Sequence, residues 1–221
     1  MTSGTQDAKM INDYDIRLVL GKNGVRLLSQ DEDPWIRYSF DILLDEEDGP
    51  GQIVGSMQVS KLNIGEVYRR HIPLWEVFDD YSAETAECYC VVFDKRGKLR
   101  KHFRCSEYGQ EDYLTNDFHF LNRIEIDESF KGEGLVGIAT QIYLENFANG
   151  SDVAYMKAFP LQFEANAKPY KRQFFGAYKE CLAKLCKYYE KLGFRRIGKT
   201  EHFFFVVDHF LSQRMELCHD R

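Results

Sequence analysis

The sequence predicts an α+β fold: a mixed, mainly antiparallel central sheet flanked by helices. Two observations carry this. Apolar and polar residues alternate at period two through the early stretches, which turn-forming clusters separate, so antiparallel hairpins are expected there. The second half holds one strand–helix–strand unit, which adds a parallel pair and places helices on the faces of the sheet.

In order along the chain, Ile16–Leu20 and Val25–Leu28 flank Gly21–Gly24, where Asn23-Gly24 supplies positive φ for a hairpin. Ile36–Leu44 and Gln52–Ile64 form a second strand pair around the acidic loop DEEDGPG. Pro73 to Tyr89 fits one helix, with Trp75, Phe78, Ser82, Ala86 and Tyr89 in a stripe. Asp79, Asp80, Glu84 and Glu87 lie mostly off that stripe and read as its solvated side. The stretch CYCVVFDKRGKLRKHF reads as a hairpin, or as a continuation of the helix to Phe93. From His119 the order is strand, turn, helix and strand (Val153–Phe159). The basic and aromatic connection EANAKPYKRQFF leads to a helix, Tyr178–Leu192, and two closing strands, Phe194–Gly198 and His202–Asp208. Residues 1–10 read as a flexible tail, and 11–221 as a single domain with an atypical helical and hairpin insertion at about 65–115.

Bulk properties exclude several classes. The 221 residues, 44% hydrophobic and 29% charged, suit a globular domain with a real core. No apolar run approaches the ~20 residues of a membrane span, and MTSGTQDAKM lacks the apolar centre of a signal peptide. Cys88, Cys90, Cys105, Cys181, Cys186 and Cys218 form no CxxC pair. Free buried thiols in a cytoplasmic protein are therefore expected over disulfides or zinc. His202 and His209 flank FFFVVD with no carboxylate or cysteine at ligand spacing, so no metal is expected. The net charge of −6 argues against nucleic acid as a partner and is compatible with a cationic small molecule or peptide.

The stretch IEIDESFKGEGLVGIATQIYLENF, Ile124–Phe147, changes period in its middle. Ile124 and Ile126 alternate with charged residues; after Gly132 and Gly134, Leu135, Ile138, Ile142 and Tyr143 recur at helical spacing. A strand that opens a helix through glycines exposes unpaired amides at the positive end of the helix dipole, a geometry suited to phosphate. A tight turn without a ligand fits the same residues. Gly132, Gly134 and Gly137 imitate a dinucleotide fingerprint, but no acidic strand end follows about 20 residues on, and no GK[ST] follows for a Walker loop.

A second stretch, LAKLCKYYEKLGFRRIGKTEHFFF (Leu182–Phe205), is a helix that stops at Gly193 and passes into a strand. Together the two resemble the GNAT superfamily of acyl-CoA N-acyltransferases. In that family a strand ends in a turn of the type RGxGIG, whose amides hold the CoA pyrophosphate, and a later helix reads FYEKLGF before a closing strand. FKGEGLVG at Phe130–Gly137 matches the first, and YYEKLGF at Tyr188–Phe194 the second. The resemblance covers roughly Leu121 to Val207. It implies a GNAT-like fold, acetyl-CoA as co-substrate, and cofactor contacts from Ile126, Lys131, Gly132, Glu133, Gly134, Leu135, Val136 and Gly137. Lys131 stands where arginine or glutamine is usual, Val136 where glycine or alanine is common, and Leu182 where asparagine is frequent. The family's substrate-covering helices normally lie between the first two strands. Here the helical segment, Gly65 to Thr115, comes before the glycine-turn strand and is the candidate acceptor-side wall.

Acyl transfer requires an amine to lose a proton and a thiolate to gain one. The resemblance assigns the thiolate's proton to Tyr189; a core tyrosine on the stripe Leu182, Leu185, Tyr189 and Leu192 is the alternative. Glu125 is the candidate base, and His119 the nearest imidazole. Strand alternation puts both on the face opposite Ile124 and Ile126, whose register leads back to Asn122 and Phe120. Lys168, Lys171, Arg172, Arg195 and Arg196 are candidates for the 3′-phosphate of CoA. The implied function is acetyl transfer to an amine of a small molecule or peptide by direct attack. A catalytically inactive acyl-CoA-binding or protein-interaction module is the alternative, and a homodimer is left open.

Overall fold

A computed structural model describes residues 16–27, 34–45, 51–100, 116–163 and 175–207. Seven strands form one sheet in the order β1-β2-β3-β4-β5-β7-β6. They are β1 (Ile16–Leu27), β2 (Trp35–Leu44), β3 (Gln52–Leu62), β4 (Phe118–Ile126), β5 (Val153–Lys157), β6 (Arg195–Arg196) and β7 (His202–Val206). Among the described residues only β4 and β5 pair in parallel, and every other pairing is antiparallel. Five helices among the described residues cover the sheet: α1 (Ile64–Arg69), α2 (Leu74–Tyr81), α3 (Ala83–Val92), α4 (Leu135–Phe147) and α5 (Phe175–Lys191). The architecture is the mixed α+β sheet expected, and it is compatible with a GNAT-like fold. None of these helices is long and apolar enough to cross a membrane.

Two cores hold the layers together, one on each face. On one face, α4 and α5 pack Tyr143, Leu144, Cys186 and Tyr189 against Phe40, Met57, Leu121, Met156 and Phe203. On the other, α1–α3 pack Ile64, Val67, Phe78, Cys88 and Val92 against Trp35, Leu62, Phe118, Phe120 and Tyr155. The Trp35 ring is buried, stacks on Tyr81, and donates its indole N–H to the Val77 carbonyl at 3.1 Å, so its polar edge is satisfied.

The first expected hairpin is not formed. Ile16–Leu27 is one strand in which Leu20 pairs with Phe40 and Val25 with Tyr38, so the glycine-containing stretch bulges out of a continuous ladder. The single helix expected from Pro73 to Tyr89 is two helices. Ser82 adopts an extended conformation and accepts from the Thr85 amide at 3.1 Å, capping α3 and stopping α2. The stripe is therefore displaced: Trp75 is exposed, while Val77 and Phe78 carry the contact. The helix continues to Val92, and a single Phe93–Leu99 bridge closes the turn after it. α1 falls where the strand reading of Gln52–Ile64 ends; Asn63 caps it by accepting from the Glu66 amide. The segment expected to form the acceptor-side wall lies between β3 and β4, described as far as residue 100. The 1–10 tail and the outer part of the insertion lie outside the described residues.

Strand β4 contains the detail that matters most for the site. Gln58 pairs with Arg123 and Val59 with Leu121, so Asn122 is an extra residue and β4 bulges there. The parallel pairing with β5 runs from Phe118–Val153 to Leu121–Met156 and ends where the bulge begins. Beyond that point β4 stays with β3, β5 stays with β7, and the two parallel strands part.

Candidate functional site

The gap between the parted strands opens into a pocket of about 700 Å³. Its walls are the end of β4 (Ile124, Glu125, Ile126), the turn into α4 (Phe130 to Gly132 and Gly134 to Val136), the segment after β5 (Phe159 to Gln162), and one side of α5. From α5 come Cys181, Lys184, Leu185, Tyr188 and Tyr189. Residues more than fifty positions apart in the sequence are thereby brought to one cavity.

The turn is built by its glycines. Gly132 has φ +94° and Gly134, the residue that caps α4, φ +79°, a conformation that side-chain-bearing residues pay to adopt. A Cβ at either position would meet nothing within 4 Å, so these glycines serve the backbone path and leave its outer side open. Among the described residues, the amides of Gly132, Glu133, Gly134, Leu135 and Val136 donate to no partner. They stand at the positive end of a helix of 13 residues. Gly137 differs: it is buried, and its amide donates to the Gly134 carbonyl at 3.0 Å. Glu133 and Gly137 are absent from the pocket lining; Ile126, Lys131, Gly132, Gly134, Leu135 and Val136 belong to it. Lys131 is exposed and paired with Glu128.

Tyr189 is buried, with its ring edge-on to Phe194 and Phe203, and it lines the pocket. Its hydroxyl has no hydrogen-bond partner among the described residues. Burial raises the phenol above its ordinary pKa, so it stays protonated throughout the neutral range. Glu125 stands at the rim with a half-exposed carboxylate that accepts from Arg123 at 2.8 Å. That hydrogen bond holds the acid below its usual value, so Glu125 is ionised and a weakened base.

The bulge at Asn122 corrects the expected register. Ile124 and Ile126 share their face with Leu121 and pack against the α4 side, while Phe118 and Phe120 face the α1–α3 side. His119 and Glu125 therefore do not share a face. His119 is fully buried: Nε2 lies 3.0 Å from Asp152 Oδ2 and Nδ1 lies 2.9 Å from the Tyr143 hydroxyl. A carboxylate only accepts, so Nε2 carries the proton and Nδ1 takes the Tyr143 O–H. This Asp–His–Tyr chain ties β4, α4 and the start of β5 together and offers no exposed base.

Other candidates fare unevenly. Arg195 and Arg196 do not line the pocket; the cations that do are Lys131 and Lys184, the latter paired with Glu180. Lys168, Lys171 and Arg172 lie outside the described residues. Cys88, Cys90, Cys181 and Cys186 are free thiols; the expected burial holds for Cys88 and Cys186, whereas Cys90 is exposed and Cys181 is half-buried on the pocket wall. Of the four acidic residues read as a solvated side, Asp79, Asp80 and Glu84 are exposed, but Glu87 pairs with Lys157 at 2.6 Å. His202, isolated by sequence spacing, lies beside both Glu87 and Glu201. Cys181, Lys184 and Tyr188 had a sequence signal, since with Leu185 they recur at i, i+3, i+4 and i+7 on one face of the helix; Phe159 to Gln162 had none.

No protein-family model matches the chain, and no curated protein matches it. A solved structure described as the crystal structure of a KacTA–DNA complex aligns over 84% of this chain and 74% of that chain, at 13% identity and a TM-score of 0.36. A likeness of that size assigns neither fold nor function.

Proposed function

We propose that the protein is a GNAT-like N-acyltransferase that moves an acetyl group from acetyl-CoA to an amine of a small molecule or peptide. One observation carries this reading: the glycine turn and the tyrosine-bearing helix, which the sequence resemblance singles out separately, line the same pocket where β4 and β5 part. The free amides from Gly132 to Val136 suit the pyrophosphate. The apolar lining from Ile124, Ile126, Leu135, Phe159 and Leu185 suits the pantetheine arm and thioester. In the reaction, the amine nitrogen attacks the thioester carbonyl carbon, and the carbon–sulfur bond breaks. The Tyr189 hydroxyl gives its proton to the departing thiolate, and the proton leaving the amine passes to Glu125, directly or through water.

A second reading is an acyl-CoA-binding module without turnover, favoured by the Arg123 pairing that weakens Glu125 as a base. Calorimetry with CoA, acetyl-CoA and NAD, followed by thiol release from acetyl-CoA over a panel of amines, separates the two. Binding of both CoA forms without NAD, and amine-dependent thiol release, is expected. Binding without release selects the second reading, and no CoA binding removes both.

A further inference from the structure

We infer that Glu87, Glu201 and His202 form a binding site for a divalent transition-metal ion, Zn²⁺ by its donor chemistry, on the α3 side of the sheet. The three residues come from two parts of the fold, α3 and the start of β7. His202 opens β7 opposite Lys157 at the end of β5, Glu201 precedes it with its carbonyl bonded to the Ala158 amide at 2.8 Å, and Glu87 reaches across from α3. One ligand atom from each lies within 4.8 Å of the others.

Both the imidazole and the nearer carboxylate are held from behind. His202 is 4% exposed, and its Nδ1 is bonded to the hydroxyl of the fully buried Tyr155. Glu87 Oε2 accepts from Lys157 Nζ at 2.6 Å. This leaves His202 Nε2 and Glu87 Oε1 facing each other at 3.4 Å, beyond the usual 2.7–3.2 Å of an N–H···O bond. The contrast with His119 is direct, because that imidazole closes on its carboxylate at 3.0 Å. Outer partners on the far atoms of a histidine and a carboxylate, with their near atoms converging, are the arrangement that orients metal ligands.

Charge points the same way. Lys157 offsets one of the two carboxylates, and the cluster with a neutral imidazole keeps one negative charge. One nitrogen and two oxygens suit Zn²⁺, whereas Mg²⁺ and Ca²⁺ select oxygen alone. Glu87 and Glu201 are partly exposed and have the rotamer freedom to close to ~2.0–2.2 Å around an ion. Three protein ligands leave a fourth position to water. Such an ion would clip α3 to the start of β7, independently of any chemistry in the pocket described above.

The test is calorimetric titration of the full chain with ZnCl₂, with MgCl₂ as control, repeated on Glu201→Gln and Glu87→Gln, whose folding is checked by circular dichroism. One equivalent of Zn²⁺ should bind, Mg²⁺ should not compete, and each variant should bind at least tenfold more weakly. Co²⁺ loaded in place of Zn²⁺ should give an absorption spectrum without thiolate-to-metal charge transfer. The proposal is overturned by the lack of saturable Zn²⁺ binding, by unchanged affinity in both folded variants, or by a charge-transfer band assigning the ion to a cysteine.

Discussion

Replacing Gly134 by alanine separates the turn's role in folding from its role in binding. At φ +79° an L-residue costs about 1–2 kcal/mol relative to glycine. Alanine also reduces the freedom of the unfolded chain, which returns about 0.4–1 kcal/mol. The new methyl meets nothing within 4 Å, so no packing penalty is added. The net loss is therefore between nothing and about 1.6 kcal/mol, from the two terms just given. For a chain of this size that lowers the melting temperature by at most a few degrees, since each kcal/mol is worth about 2–4 °C. The same methyl projects from the open side of the turn, where the CoA pyrophosphate would approach the amides. CoA affinity should then fall tenfold or more, a loss of about 1.4 kcal/mol in binding. Thermal denaturation and CoA calorimetry on the same preparation measure both quantities. A folded variant that binds CoA within threefold of the parent would refute the cradle. A melting temperature lowered by well over 10 °C would refute the inference that the space is open.

Tyr189→Phe should leave stability nearly unchanged, because the hydroxyl it removes has no partner among the described residues; it should lower kcat by ~10²–10⁴ and KM little, read from steady-state kinetics with acyl transfer rate-limiting. Gly55→Ala should do the reverse of Gly134→Ala: its Cβ would stand 2.3 Å from the Glu125 carbonyl oxygen, a backbone atom that cannot swing away. Urea denaturation should show a loss of about 1–3 kcal/mol, and a neutral result would mean that β3 and β4 part freely at that point. Stability should also fall as the pH drops below about 6.5: burial holds the imidazoles of His119 and His202 below their ordinary pKa, so the unfolded chain takes up protons there that the native state resists. Asp152 adds a second loss nearer pH 4. Burial would raise its acid, but the hydrogen bonds from His119 and the Asn149 amide win, so the stability it provides above that range is lost on acidification. Urea midpoints that stay flat from pH 8 to pH 5 would contradict the buried neutral state of both histidines.

What the sequence made legible was what local pattern encodes. The glycine turn, α4 and α5 announce themselves through a change of period at Gly132–Gly134 and through the stripe carrying Leu185, Tyr189 and Leu192. The break between α2 and α3 was also written, in Ser82 three residues before Thr85, but a helical spacing that counts Ser82 itself among its stripe masked the cap. The β1 turn misled because Asn23-Gly24 fits a bulge as well as a hairpin, and only the partner strand decides which. Long-range proximity left no local trace. Glu87 sits 115 residues from His202 in the chain, and no spacing rule links them. The segment after β5 enters the pocket only because β4 and β5 part, which depends on a register count in β4.

That count has a consequence for comparing this chain with others. Asn122 is one residue more than the β3 partner can match, and it alone decides which parity of position in β4 looks toward α4. Substituting a residue near it changes one contact. Deleting Asn122 would restore a regular ladder and leave Ile124 and Ile126 toward α4, whereas keeping it and straightening the bulge would turn them toward α3 and Glu125 toward α4, exchanging the entire wall at once. An alignment that omits that one-residue gap would therefore match Glu125 with residues from the opposite side of the sheet in chains that lack the bulge. A carboxylate preserved at that column, or lost from it, has meaning only after the insertion has been aligned.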